Sequence, residues 1–142
     1  MRKASETLVS FLKKAEGCKL VAYQDAKGVW TIGYGHTDGV NQGMLITEKT
    51  ADGFLKQDIR NAEHCINQMD IDLTQEQFDA LVSFVFNVGV QAFNTSTLKK
   101  KILKNPNDPS IADEFRRWVY AGNKMLPGLV KRREQEIKLY YS

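Results

Sequence analysis

Between Ser5 and Glu16 the apolar residues Leu8, Phe11, Leu12 and Ala15 recur at i, i+3, i+4 and i+7, the spacing of a helix with one apolar face. Ser5 stands ahead of them as a capping residue, and Gly17 follows, so the pattern predicts a helix ending at Glu16. The period then shortens to two. "VAYQ" and "VWTIGY" are rich in β-formers and flank "DAKG", whose Asp in first and Gly in fourth position suit a type I turn. Along the second strand Trp30, Ile32 and Tyr34 share one face and Val29, Thr31 and Gly33 the other, which sets Thr31 off the large apolar face.

After the glycine-spaced stretch "GHTDGVNQGM" the helical period returns. Thr47 heads a segment with Ala51, Phe54, Leu55, Asp58, Ile59 and Ala62 on one stripe. Thr74 and Gln77 form a capping box before "FDALVSFVFNVG", apolar nearly all round and therefore the expected central helix, stopped by Gly89. A short helix is expected in "STLKKKILK". Past the breaker "NPNDP", Asp108 and Pro109 fit the cap and first position of a helix over "SIADEFRRWVYA". Gly122 and Pro127 separate this from a last helix in "GLVKRREQEIKLYY". The organisation is α+β within one domain spanning 1–142. A small β-containing lobe lies over about residues 17–45, and a larger helical lobe over about 46–142 is completed by the N-terminal helix.

The composition, 142 residues with 42% hydrophobic and 26% charged, is that of a soluble globular domain. A net charge of +3 favours approach to a polyanion, but the basic residues are interspersed with 17 acidic ones and make no single face, which argues against nucleic acid. The densest positive spots, Lys99 to Lys101 and Lys131 with Arg132 and Arg133, read as solvated helix faces. Cys18, Cys65, His36 and His64 give no metal or redox spacing; both thiols are read as free, and no metal or cofactor is expected. No apolar run forms a secretion core or a membrane span.

Within this frame one acidic pair stands out. Glu16 and Asp25 are nine residues apart, which on one helix would put them on opposite faces, ~13 Å apart along the axis. The predicted hairpin turns the chain back between them. Two carboxylates in different surroundings are what glycosidic cleavage needs, one protonated to donate to the leaving oxygen and one ionised. Glu16, at a helix C-terminal end where the dipole disfavours negative charge, is placed to hold a proton; Asp25, at a polar turn, is placed to lose one. The Thr31 hydroxyl on the following strand is a candidate to hold a water.

The stretch "EGCKLVAYQDAKGVWTIGYGHT" resembles the catalytic motif of the phage-type lysozymes, glycoside hydrolase family 24, in which Glu, Asp and Thr recur at spacings of nine and six. The likeness continues through "LTQEQFDALVSFVFNVGVQAFNTSTL" and "LPGLVKRREQEIKLY" and is nearest to the lambdoid endolysin branch. It implies a lysozyme-like fold with a cleft between the lobes, and hydrolysis of the β-1,4 bond between N-acetylmuramic acid and N-acetylglucosamine in peptidoglycan. By the same resemblance Glu16 is the general acid, Asp25 activates or steers water, and Thr31 helps to hold that water. An inverting reaction would set the carboxyl groups roughly 6.5 to 9.5 Å apart.

By motif position Thr37, Phe86, Asn87 and Ser96 or Thr97 touch sugar; Phe86 is alternatively plain core, and Asn87 and Ser96 helix caps. His36 is read as a structural polar residue beneath the hairpin loop. Arg132 and Arg133 either meet wall carboxylates or pair with Glu134 and Glu136. Cys18, two residues past Glu16, is a place where oxidation would disturb the acid. The expected protein is a monomer in the host cytoplasm until release to the periplasm and wall. That release runs through a separate holin unless a leading secretion segment has been trimmed. The competing readings are chitinase-like or transglycosylase chemistry on the same fold and a non-catalytic wall-binding module.

Overall fold

The computed structural model describes all 142 residues, and the chain divides into two compact units, Glu6–Arg60 and Met1–Ser5 with Asn61–Ser142. In the first, α1 spans Glu6–Glu16 and buries Leu8 and Leu12, two of the residues on its predicted stripe. Gly17, at φ 66°, ends it by returning its N–H to the Lys13 carbonyl (3.0 Å), a left-handed closure that glycine makes without a Cβ penalty. Strands β1 (Lys19–Gln24) and β2 (Trp30–Gly33) pair antiparallel, with Tyr23 opposite Thr31 and Gln24 opposite Trp30. A register shift between Lys19 and Tyr23 marks a bulge on β1, whose other edge bonds to residues 44–46 through Ala22 N–H to Met44 O and Ile46 N–H to Leu20 O.

Thr31 and Ile32 are both buried, so the second strand is covered on both faces, where alternation alone set Thr31 off the apolar side. Helix α2 (Glu48–Asn67) opens on Thr47, whose hydroxyl accepts the Thr50 N–H at 3.2 Å. The end of β2 lies close against it: a methyl carbon at Gly33 would stand 3.3 Å from Ala51 Cβ.

In the second unit, α3 (Gln75–Val88) begins at the predicted capping box, with Thr74 Oγ1 accepting the Gln77 N–H and the Gln77 side chain accepting the Thr74 N–H. Its residues 77–85 are all buried, and it packs chiefly on α7 (Pro127–Tyr140). Phe84 is the aromatic centre, edge-on to Phe93, Phe115 and Trp118 with ring centroids 5.4 to 6.2 Å apart. Ser5, read as the cap of α1, gives its N–H and hydroxyl to Asp79.

Between α3 and α7 the structure departs from the sequence reading. Gly89 stops α3, but a one-turn helix α4 (Val90–Asn94) follows before α5 (Thr97–Lys104). Helix α6 covers only Ile111–Arg116, starting two residues after Pro109 because Asp108 Oδ1 accepts the Ser110 N–H in a separate turn. The expected remainder of that helix is instead a small hairpin, β3 (Tyr120–Ala121) and β4 (Lys124–Met125), turned at Gly122-Asn123. No helix is long and apolar enough to cross a membrane.

Candidate active site

Asp25 opens the β1–β2 turn, and three hydrogen bonds tie it down, two to Val29 and one to Lys27. Its N–H donates to the Val29 carbonyl (2.9 Å), and its Oδ1 accepts the N–H groups of Val29 (2.9 Å) and Lys27 (2.8 Å). The Thr31 hydroxyl donates to the same Val29 carbonyl at 2.9 Å. Both bonds to the carboxylate fall on Oδ1, and the hydrogen of the Thr31 hydroxyl is committed to the backbone. What Thr31 Oγ1 offers a further partner is therefore acceptor capacity.

Glu16 is the last residue of α1, half-buried. After β2 the chain reverses at once: Ile32 and His36 exchange both backbone hydrogen bonds (2.8 and 2.9 Å), with Gly33 and Gly35 between them at φ 63° and 76°. This reversal lays Gly35 against the glutamate, so closely that a methyl carbon there would stand 2.5 Å from Glu16 Oε1. The loop is anchored by His36, whose Nδ1 lies 2.7 Å from Asp58 Oδ2 and whose ring stacks on Phe54 at 4.1 Å. Burial pushes the Asp58 carboxyl above its ordinary pKa, with the His36 bond drawing it back and Asp38 adding to the rise. His36 is thus a buried structural group of this loop.

Tyr23, opposite Thr31 on β1, was not singled out in the sequence. Its phenol is raised in pKa first by burial, then by the charges of Glu16 and of Asp25. The phenol stands within electrostatic reach of both carboxylates. Gly35 and Val29 were missed too, since only a folded loop shows which carboxylate a backbone touches.

Thr37 is exposed, directly after His36. The remaining expected sugar contacts belong to the other unit. Phe86 is half-buried and Asn87 exposed near the end of α3, and Asn87 Oδ1 accepts from Arg133 Nη2 at 2.5 Å. Ser96 is buried at the cap of α5, its hydroxyl donating to Phe93 O and accepting the Lys99 N–H; Thr97 beside it is exposed.

The solvated-face reading is corrected at Arg132 and Arg133. Arg132 and Arg133 are buried and converge on Glu136 of the same helix, Arg132 Nε lying 3.3 Å from Oε2 and Arg133 Nε 2.8 Å from Oε1. Ser83 adds a 2.6 Å donor to Glu136 Oε2, while Glu134 pairs with Arg116. Burial pushes the Glu136 carboxyl up, against the pull of Arg133, Arg132 and Ser83. In the other cluster Lys101 pairs with Glu114, whereas Lys100 and Lys131 are exposed.

Comparison with known proteins fits this geometry. The phage lysozyme family model matches residues 13–136. An endolysin of Acyrthosiphon pisum secondary endosymbiont phage 1 is 45% identical over 144 residues, 97% of each chain. The endolysin of Salmonella phage P22 is 39% identical over 148 residues, the whole of both chains. Among solved structures, the muramidase domain of SpmX from Asticaccaulis excentricus has a TM-score of 0.84 at 33% identity, covering 100% of this chain and 99% of that one. The fold is lysozyme-like, and the chain belongs to the phage lysozyme family, glycoside hydrolases that degrade bacterial peptidoglycan.

Proposed function

We propose that the chain is an endolysin that cleaves the β-1,4 bond between N-acetylmuramic acid and N-acetylglucosamine in a single inverting displacement. Glu16 gives its proton to the leaving oxygen of N-acetylglucosamine as the bond to the muramic C1 breaks. A water attacks C1 from the opposite face, one of its hydrogens held by Asp25, which takes that proton, and the other by Thr31 Oγ1. One water is consumed and two sugar ends are released. Thr37, Phe86 and Asn87 serve as sugar contacts; Ser96 is left out, because its hydroxyl is occupied at the helix cap. The protein works as a monomer, held in the host cytoplasm until its release to the wall.

The observation that carries this reading is the shared Val29 carbonyl. With the Thr31 hydrogen spent there, a water between Thr31 and Asp25 donates both its hydrogens and keeps a lone pair for the attack. Glu16→Gln tests the acid: the folded variant should bind purified peptidoglycan and lose 10²- to 10⁴-fold or more of its clearing rate, about the worth of general acid catalysis. Clearing at the wild-type rate would refute the assignment. Product mass decides the reaction type in the same assay, since hydrolysis adds a water and a transglycosylase leaves an anhydro end.

A further inference from the structure

A water that donates one hydrogen to Asp25 and the other to Thr31 Oγ1 keeps two lone pairs, and only one of them attacks C1. The second lies open to a donor. Tyr23 stands directly opposite Thr31 in the β1–β2 pairing, so the two side chains rise from the same face of the hairpin. Asp25 follows Tyr23 by two residues, just past the end of β1, which under strand alternation returns it to that face. The Tyr23 side chain is half-buried, and its phenol is pushed up in pKa by burial and then by the charges of Glu16 and Asp25. The hydroxyl therefore stays protonated, and a donor, wherever a carboxylate pair works. It forms no hydrogen bond with another protein group, whereas the Thr31 hydroxyl is committed to the Val29 carbonyl. A half-buried hydroxyl without a protein partner, on the face that carries Thr31 and Asp25, is available to a molecule bound there.

We infer that Tyr23 is a further catalytic residue of the hydrolysis, its hydroxyl donating to the second lone pair of the attacking water. The inference rests on the inverting lysozyme reading for the water itself, and on the cross-strand register for the third anchor. Two acceptors alone leave a water free to rock about the line that joins them, and the attacking lone pair swings with it. A donor at the third corner holds that lone pair toward C1, which contributes to the rate through orientation. The phenol keeps its own proton throughout. Asp25 takes the proton that the water loses, so Tyr23 changes the rate and not the products.

The test uses the full chain on soluble peptidoglycan strands, with Tyr23→Phe, Thr31→Val and the double variant. Tyr23→Phe keeps the ring and removes a hydroxyl that bonds to no protein group, so it should melt at the wild-type temperature. Its kcat should fall about tenfold, roughly the worth of one hydrogen bond, with KM within about twofold. In the Thr31→Val background the water has already lost an anchor, and removing the hydroxyl should lower kcat by less than about threefold further. A KM that rises while kcat holds would make Tyr23 a sugar contact and overturn the inference. So would an unchanged kcat, a clearly lower melting temperature, or a tenfold loss that recurs in full in the Thr31→Val background, the mark of a residue acting apart from that water. Each of these leaves the lysozyme reading standing as long as wild type releases the α-anomer first. A wild type that hydrolyses no strand, or releases the β-anomer first, overturns the inverting reading and this inference with it.

Discussion

Asp25 and Thr31 are joined through one peptide: the carbonyl of Val29 accepts the Asp25 N–H and the Thr31 hydroxyl, each at 2.9 Å. Because the Val29 N–H also returns to Asp25 Oδ1, the turn, the carboxylate and the hydroxyl form one hydrogen-bonded unit. The six-residue spacing from Asp25 to Thr31 is thus the length of a turn plus the first residues of a strand.

Thr31→Val removes the hydroxyl and keeps the shape. It should cost about 1 to 2 kcal/mol of stability for the lost bond, and lower peptidoglycan hydrolysis by about 10²-fold or more once the water loses its second acceptor. Thr31→Ser, which restores the oxygen, should recover most of the rate. Initial rates of reducing-end release check this, and a fully active Thr31→Val would remove Thr31 from the mechanism.

Gly35 and Gly39 make a matched pair. Both have positive φ, 76° and 69°, so alanine strains the backbone at either site by about 1 to 2 kcal/mol. Only at Gly35 does the added methyl meet Glu16; nothing lies within 4 Å at Gly39. Gly35→Ala should therefore lose most of its kcat while Gly39→Ala keeps near-normal kcat at similar stability. Equal kcat in the two variants would show that the Glu16 carboxylate tolerates displacement.

Elements defined by local chemistry were legible in the sequence. The α3 capping box, the Asp25–Gly28 turn and the closure of α1 at Gly17 each depend on residues a few positions apart. The β3–β4 hairpin was hidden because "EFRRW" continues a helical pattern, although the aromatic and β-branched run before Gly122-Asn123 carried a two-residue hairpin signal. The burial of Arg132 and Arg133 was not legible. It depends on α3 bringing Ser83 and Asn87 to the face of α7 that carries Glu136, a tertiary fact that no local charge pattern states. The proposed roles of Glu16, Asp25 and Thr31 come from the resemblance of their motif, whereas the contact of Gly35 with Glu16 needed the reversal after β2 to be seen.

Charge reversal separates the two kinds of basic residue on α7. Lys131→Glu, at an exposed site, should change stability by no more than about 0.5 kcal/mol. Arg133→Glu places a second carboxylate against buried Glu136 and breaks a buried pair worth about 3 to 5 kcal/mol when one partner is lost, much of the stability of a domain this size. Urea unfolding should show a near-wild-type midpoint for the first and little or no folded protein for the second; equal midpoints would contradict the buried network.

The Tyr140 phenol links stability to alkaline pH. Its pKa is raised above the ordinary value near 10, first by burial and then by Tyr141, and its hydroxyl donates to the Pro106 carbonyl. A folded-state pKa above the unfolded one gives stability that is fully present below pH 10 and lost as pH rises beyond it, since the unfolded chain releases the proton first. Tyr140→Phe should cost about 1 kcal/mol at neutral pH for the lost hydrogen bond and show a flatter decline of stability from pH 10 to 12. Parallel declines in both proteins would place the alkaline transition elsewhere.

The central claim, that Asp25 and Thr31 deliver a water opposite the proton donated by Glu16, is tested most directly by the anomeric form of the first product. Proton NMR recorded within seconds of mixing wild-type protein with soluble β-linked peptidoglycan strands should show the α-anomer at the new reducing end, decaying later to the mutarotated mixture. The β-anomer appearing first would mean a covalent glycosyl intermediate on a nucleophile and would contradict the account.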